Sequence, residues 1–185
     1  MKRIAVFASG TGTNAEAIIN HFATDSSGEV ALIVSNKVEN HVVARARNHG
    51  ISYHILDKLD FAEGRGLPVV LEKHQINFIV LAGFMWLIPA YLTKAFQGNI
   101  VNIHPALLPK YGGKGMYGMH VHRAVLEAGE AESGITIHHV NENYDEGQII
   151  FQATCTVDPA DTPELLAQKV HELEHEHYAK VISGL

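Results

Sequence analysis

Short apolar runs recur along the chain, at residues 4–8, 30–34, 78–82 and 100–101, with a further short strand at 52–55, each followed by a turn or a helical period. Runs of this length, bounded by glycine, asparagine or serine, read as strands of a buried sheet. The first run is the most informative. Ile4-Ala5-Val6-Phe7-Ala8 gives way to Ser9-Gly10-Thr11-Gly12-Thr13-Asn14, and residues 15–22 then repeat with helical spacing. Strand, glycine turn and helix in that order aim backbone N–H groups and the positive end of a helix dipole at an anion. No Gly-Lys-Ser/Thr ends the turn, and the third glycine of a dinucleotide fingerprint would fall at Ala15. The same arrangement also serves as a plain tight connection between strand and helix.

Further helical periods cover residues 42–48, closing at Gly50, and residues 61–74, interrupted near Gly64, Gly66 and Pro68. Pro68 fits only in a first helical turn. Residues 90–96 and 122–128 are helical as well. Residues 134–140 alternate as a strand, and 147–152 pair with them as an antiparallel neighbour. Thr162 caps and Pro163 opens a terminal helix over residues 165–182. The prediction is an α/β fold in three layers, a mostly parallel sheet with an antiparallel C-terminal strand pair, forming one domain over residues 1–185.

With 46% hydrophobic residues and 18% charged, 185 residues suffice for one full core. A net charge of -6 lacks the basic footprint of a nucleic-acid binder. The lone Cys155 excludes an internal disulfide and points to a reducing, cytoplasmic setting. It falls in an expected strand over residues 149–157, as a small core side chain. Residues 4–8 are too short for a signal-peptide core, and no stretch approaches the ~20 apolar residues of a membrane span.

Chemistry concentrates in Val101-Asn102-Ile103-His104-Pro105-Ala106-Leu107-Leu108-Pro109. Asn102 and His104 lie two apart, so an extended backbone sends both side chains from one face. Pro105 biases His104 toward extended angles. An amide and an imidazole at the carboxyl end of a parallel strand stand where open α/β sheets bind ligands. Asp145, in the turn Asn141-Glu142-Asn143-Tyr144-Asp145-Glu146-Gly147, is the expected third member. Asn and His beside Pro also cap turns, so the short motif alone admits a structural role. Residues 84–88 offer an aromatic and thioether cluster that could line a pocket for a flat ligand or fill ordinary core. The glycine-dense residues 111–118 form a lid candidate.

One rival pattern stands on the last helix. His171-Glu172-Leu173-Glu174-His175 matches the zinc-protease motif, two imidazoles four apart with a glutamate as base. No Gly-x-x-His extension follows, and a solvated face of His and Glu is the ordinary alternative; the expectation is that no metal is held.

Taken together, residues 8–14, Val34-Ser35-Asn36-Lys37, Leu81-Ala82-Gly83-Phe84-Met85, Asn102 to Pro109 and Asp145-Glu146-Gly147 occur in the order seen in the folate-dependent formyltransferases. Nearly the whole chain, residues 2–183, resembles the phosphoribosylglycinamide branch of that family. The resemblance implies formyl transfer from 10-formyltetrahydrofolate, a co-substrate, to the amine of glycinamide ribonucleotide in purine biosynthesis. It implies Asn102, His104 and Asp145 as the catalytic trio. Gly12, Thr13 and Asn14 would hold the 5′-phosphate, and Glu174 the ribose or glycinamide part. Met85, Trp86, Leu87 and Ile88, with the loop carrying Asn141 and Tyr144, would embrace the pterin. The partners are these small molecules, without nucleic acid or membrane, and a homodimer stays open. Relatives commonly carry Arg at Trp86 and Ser at Ala106, and Arg65 is the candidate for the folate tail. A formyltetrahydrofolate hydrolase would share the trio with water as acceptor. A methionyl-tRNA formyltransferase would need a basic face, and a non-catalytic nucleotide module would need no trio.

Overall fold

The structure, a computed structural model, describes residues 1–38 and 40–185. Among them seven strands form one sheet: β1 (Lys2–Ala8), β2 (Gly28–Ser35), β3 (Ser52–Ile55), β4 (Phe78–Leu81), β5 (Ile100–His104), β6 (Glu132–His139) and β7 (Ile149–Thr156). Their order is β3-β2-β1-β4-β5-β6-β7. The first five run parallel, whereas β6 is antiparallel to both β5 and β7. Seven helices accompany them: α1 (Thr13–Phe22), α2 (His41–Asn48), α3 (Lys58–Glu63), α4 (Leu67–Lys73), α5 (Ala90–Ala95), α6 (Met119–Glu127) and α7 (Pro163–Gly184).

Alternation along β1 divides the core. Ile4, Val6 and Ala8 pack with α1, α2 and α7, and Ala5 and Phe7 pack with α3, α4 and α5. All five are fully buried, so the run carries no polar alternation, as a central strand covered on both faces requires. The expected interrupted helix over residues 61–74 is two helices. Gly64 and Gly66, both at positive φ, separate them, and Asp57 starts α3 early by accepting from the N–H groups of Leu59 and Asp60. Pro68 sits in the first turn of α4 and Pro163 in that of α7, where no backbone donor is lost.

Two features place the site. From β1 the chain steps outward through β2 and β3, then crosses back to β4 on the other side of β1. The loops after β1 and β4 therefore diverge and open a crevice beyond the strands' carboxyl ends. Helix α7 closes one side of it. Its buried Tyr178 donates a 2.8 Å hydrogen bond to the carbonyl of Leu81, and lies 3.3 Å from that of Val101. That hydroxyl fastens the helix to the ends of β4 and β5, and burial raises its pKa well above that of a free tyrosine.

Candidate active site

The crevice is a cleft of about 980 Å³, large for a single small ligand. At one end stands the amino terminus of α1. Gly12 takes the left-handed conformation (φ 74°) and no side chain caps the helix. The first helical bond runs from Glu16 N–H to Gly12 O, so the N–H groups of Thr13, Asn14 and Ala15 have no intrahelical acceptor. Arg45 steadies the turn from outside, donating to the Thr11 carbonyl at 3.0 Å and pairing with Glu16. A Cβ on Gly12 would lie 2.7 Å from Val42, so this glycine is also required by packing between α1 and α2.

From α7, Glu174 reaches the same end. Its Oε2 accepts from Asn14 Nδ2 at 2.8 Å and lies 2.9 Å from His171 Nδ1. Burial against His171 is outweighed by that hydrogen bond, and the imidazole's pKa rises. Only one imidazole of the His171-to-His175 motif lines the cleft, and Glu172 lies outside it, exposed. The rings of His171 and His175 pack against each other, centroids 4.0 Å apart. Among the described residues no three His, Cys, Asp or Glu side chains gather as a metal site.

The polar trio meets at the cleft floor. Asn102 and His104 leave one face of β5, and Asp145 arrives on the loop after β6 with its backbone at φ 57°, a strained setting that Asp tolerates better than most. Its Oδ2 lies 3.4 Å from His104 Nδ1 and accepts from Gly113 N–H at 2.9 Å. Its Oδ1 lies 3.4 Å from Asn102 Nδ2. Contacts of 3.4 Å are long for hydrogen bonds and give way readily to an incoming oxygen. Behind His104, Nε2 donates to the Tyr111 carbonyl at 2.7 Å, which fixes one proton there and turns Nδ1 toward Asp145.

A fourth side chain, absent from the sequence reading, completes the floor. His138 is buried opposite Asn102 in the β5–β6 register. Its Nδ1 lies 2.8 Å from the His139 carbonyl, leaving Nε2 3.1 Å from Asn102 Nδ2 and 3.6 Å from Asp145. The signal lay in the alternation of Thr136 and His138, legible only once the antiparallel partner is known.

Burial pushes the His104 imidazole down, and the attraction of Asp145 and the Tyr111 carbonyl offsets this only in part. Burial would raise Asp145, but His138, the charge of His104 and the Gly113 N–H outweigh it, and the carboxyl stays below its ordinary range. The resting pair is thus a carboxylate facing a basic ring nitrogen. Such a gap can accept a proton and hold it between the two groups.

Met85, Trp86, Leu87, Ile88 and Tyr144 also line the cleft. Trp86 packs on Phe61 and Phe84, ring centroids 5.6 and 6.1 Å away, so the cluster is half core and half wall. Asn141 departs from expectation. Its exposed side chain accepts from Asn143 N–H at 2.9 Å and stays off the wall, where Asn143 stands instead. The amide is used to close its own turn. Arg65 is likewise occupied, by Asp60 and Glu63, and does not line the cleft. In the lid candidate the first residues are anchored: Tyr111 by His104, Gly113 by Asp145, and Gly112 by an approach in which a Cβ would sit 2.5 Å from Leu108. Residues 114–118 alone form open wall.

An α/β sheet that brings free helix N–H groups and an Asn-His-Asp floor to one crevice presents donors for an anion beside polar groups with the chemistry of acyl transfer. Comparison defines the class: the formyl transferase family model matches residues 2–182, and the chain belongs to that family. It is 44% identical over its whole length to a chloroplastic phosphoribosylglycinamide formyltransferase of Arabidopsis thaliana, of which it spans 65%. It is 37% identical over its whole length to the phosphoribosylglycinamide formyltransferase of Bacillus subtilis, of which it covers 95%. The crystal structure of the Bacillus halodurans protein of that name superposes with a TM-score of 0.88 at 40% identity, covering 99% of this chain and 94% of the other. Among the described residues no helix is long and apolar enough to cross a membrane.

Proposed function

We propose that this protein transfers the formyl group of 10-formyltetrahydrofolate to the amine of glycinamide ribonucleotide. The observation that carries the reading is the convergence of Asn102, His104 and Asp145 on one floor, in a cleft lined also by the α1 amino terminus and by an aromatic cluster. The nucleotide's phosphate sits at Gly12, Thr13 and Asn14, and Glu174 takes a ribose or glycinamide hydrogen. The pterin lies against Met85 to Ile88 and Tyr144. No serine or cysteine nucleophile is needed, because the amine itself attacks.

In the reaction the glycinamide nitrogen bonds to the formyl carbon and the carbonyl oxygen becomes an oxyanion. Asn102 turns one amide hydrogen from Asp145 to that oxygen. The proton shed by the nitrogen enters the gap between His104 Nδ1 and Asp145 Oδ2, and the imidazolium so formed faces the oxyanion. Collapse breaks the bond from carbon to the folate nitrogen, which takes the proton back. Holding both substrates in one cleft supplies much of the remaining acceleration. The half-buried, unpaired Cys155 supports a reducing compartment such as the cytoplasm.

The test is a formyl-transfer assay with both substrates beside a control without nucleotide. Formyl release only when the nucleotide is present is the expected result. Equal release without it would make the protein a hydrolase of the same donor.

A further inference from the structure

The carbonyl that orients His104 belongs to Tyr111, and Tyr111 stands at φ 57°, in a region that a bulky side chain rarely occupies. Something must hold it there. The loop leading to it is fixed at its first half by buried bonds: Leu108 N–H donates to Thr136 Oγ1 at 2.9 Å, that hydroxyl donates to the Ala106 carbonyl at 2.7 Å, and Gln152 donates to the Leu108 carbonyl at 3.1 Å. None of these reaches Tyr111. Its ring packs against the core, and its hydroxyl is held from the other side: the Tyr111 hydroxyl donates to Glu130 Oε1 at 2.8 Å, and Lys110 donates to the same oxygen at 2.7 Å.

Glu130 lies between α6 and β6 and lines a separate recess of about 350 Å³ behind the loop. Neither it nor Tyr111 lines the catalytic cleft. We infer that Glu130 is a positioning residue for formyl transfer: it clamps the Tyr111 ring, so that the strained Tyr111 carbonyl holds the Nε2 proton of His104 and keeps Nδ1 aimed at Asp145. Without the clamp, Tyr111 relaxes toward ordinary backbone angles and its carbonyl swings off the imidazole. His104 then loses the partner that fixes its tautomer, and the hydrogen bond that goes with it, worth about 1 kcal/mol or about fivefold in rate.

The inference rests on the formyl-transfer reading, and the experiment separates the two. Glu130→Ala, Glu130→Gln and Tyr111→Phe are made in the full chain. Glu130→Ala and Tyr111→Phe are expected to lower kcat about fivefold while KM for both substrates holds, because neither group touches the cleft. Glu130→Gln, whose amide oxygen still accepts from the hydroxyl, is expected to retain most of the wild-type rate. Nitrogen NMR of the His104 ring, which needs no turnover, is expected to show a protected Nε2 proton in the wild type and in Glu130→Gln, and its loss in the other two. An unchanged His104 signal in folded Glu130→Ala would overturn the clamp, as would a Gln variant as impaired as Ala. A wild type that transfers no formyl group yet shows the NMR pattern would sink the proposed reaction and leave the clamp standing.

Discussion

The two ends of the cleft are built by opposite means. The end proposed for the phosphate is backbone: three N–H groups of α1, presented by a turn that a few consecutive residues specify. The floor proposed for catalysis is side chain: Asn102 and His104 from β5, His138 from β6, Asp145 from the following loop, with backbone contacts from Tyr111 and Gly113. The first tolerates side-chain change wherever the backbone is kept. The second depends on register across three elements, and a displaced partner leaves a buried polar group without its bond.

The floor should therefore break first and hardest. Asp145→Asn is expected to fold normally and lose about a hundredfold or more in kcat, within the range for a general acid–base group; steady-state rates on a variant with an unchanged circular dichroism spectrum check it. A near-normal rate would remove the carboxylate from the chemistry. Protonation follows the same logic. Because His104 lies below the ordinary imidazole value of 6.5, the wild-type rate should be flat above that pH and fall as pH drops through the lowered pKa. The Asp145 charge raises that pKa, so in Asp145→Asn the acid limb should move to still lower pH. A limb that moves upward would contradict the pairing.

At the phosphate end a backbone change is needed for a comparable injury. Gly12→Ala forces a side chain into a left-handed position and against Val42, an expected loss of about 2 kcal/mol in unfolding free energy, read by urea titration. Its effect on binding would then be inseparable from damage between α1 and α2, so the side-chain contribution is better read from Glu174→Gln. That variant should raise KM for the nucleotide about tenfold and leave the folate KM unmoved, the scale of a charge-assisted hydrogen bond. Smallest is Tyr178→Phe, expected to cost about 1 kcal/mol of stability through the lost hydrogen bond to the Leu81 carbonyl, with both KM values kept.

Legibility followed the same division. The turn at Gly12, the strand through Asn102 and His104 and the capped terminal helix each arise from interactions among near neighbours, so local patterns foretold them. The short strands, the antiparallel pair and the interruption near Gly64 and Gly66 followed from period and turn residues, though not the early start of α3 at Lys58, which the Asp57 cap sets. His138 was missed because its partner lies 36 residues away. Asn141 shows the converse: its loop borders the cleft, but its amide bonds Asn143 two residues on rather than lining it. The zinc-protease pattern read correctly as helix, and only packing showed that Glu174 faces Asn14 across the cleft.

The sequence by itself determined which segments become strand or helix, where a helix would present free N–H groups and which two side chains would leave β5 together. Those outcomes depend on steric and hydrogen-bonding preferences that act over a few residues. Tertiary structure alone decided that Asp145 and His138 meet those two, that Tyr111 turns its carbonyl onto His104, and that Glu130 holds it there. Such contacts join residues whose separation along the chain is closed only when the sheet assembles, and a burial pattern says that a side chain goes inside without saying what it will touch.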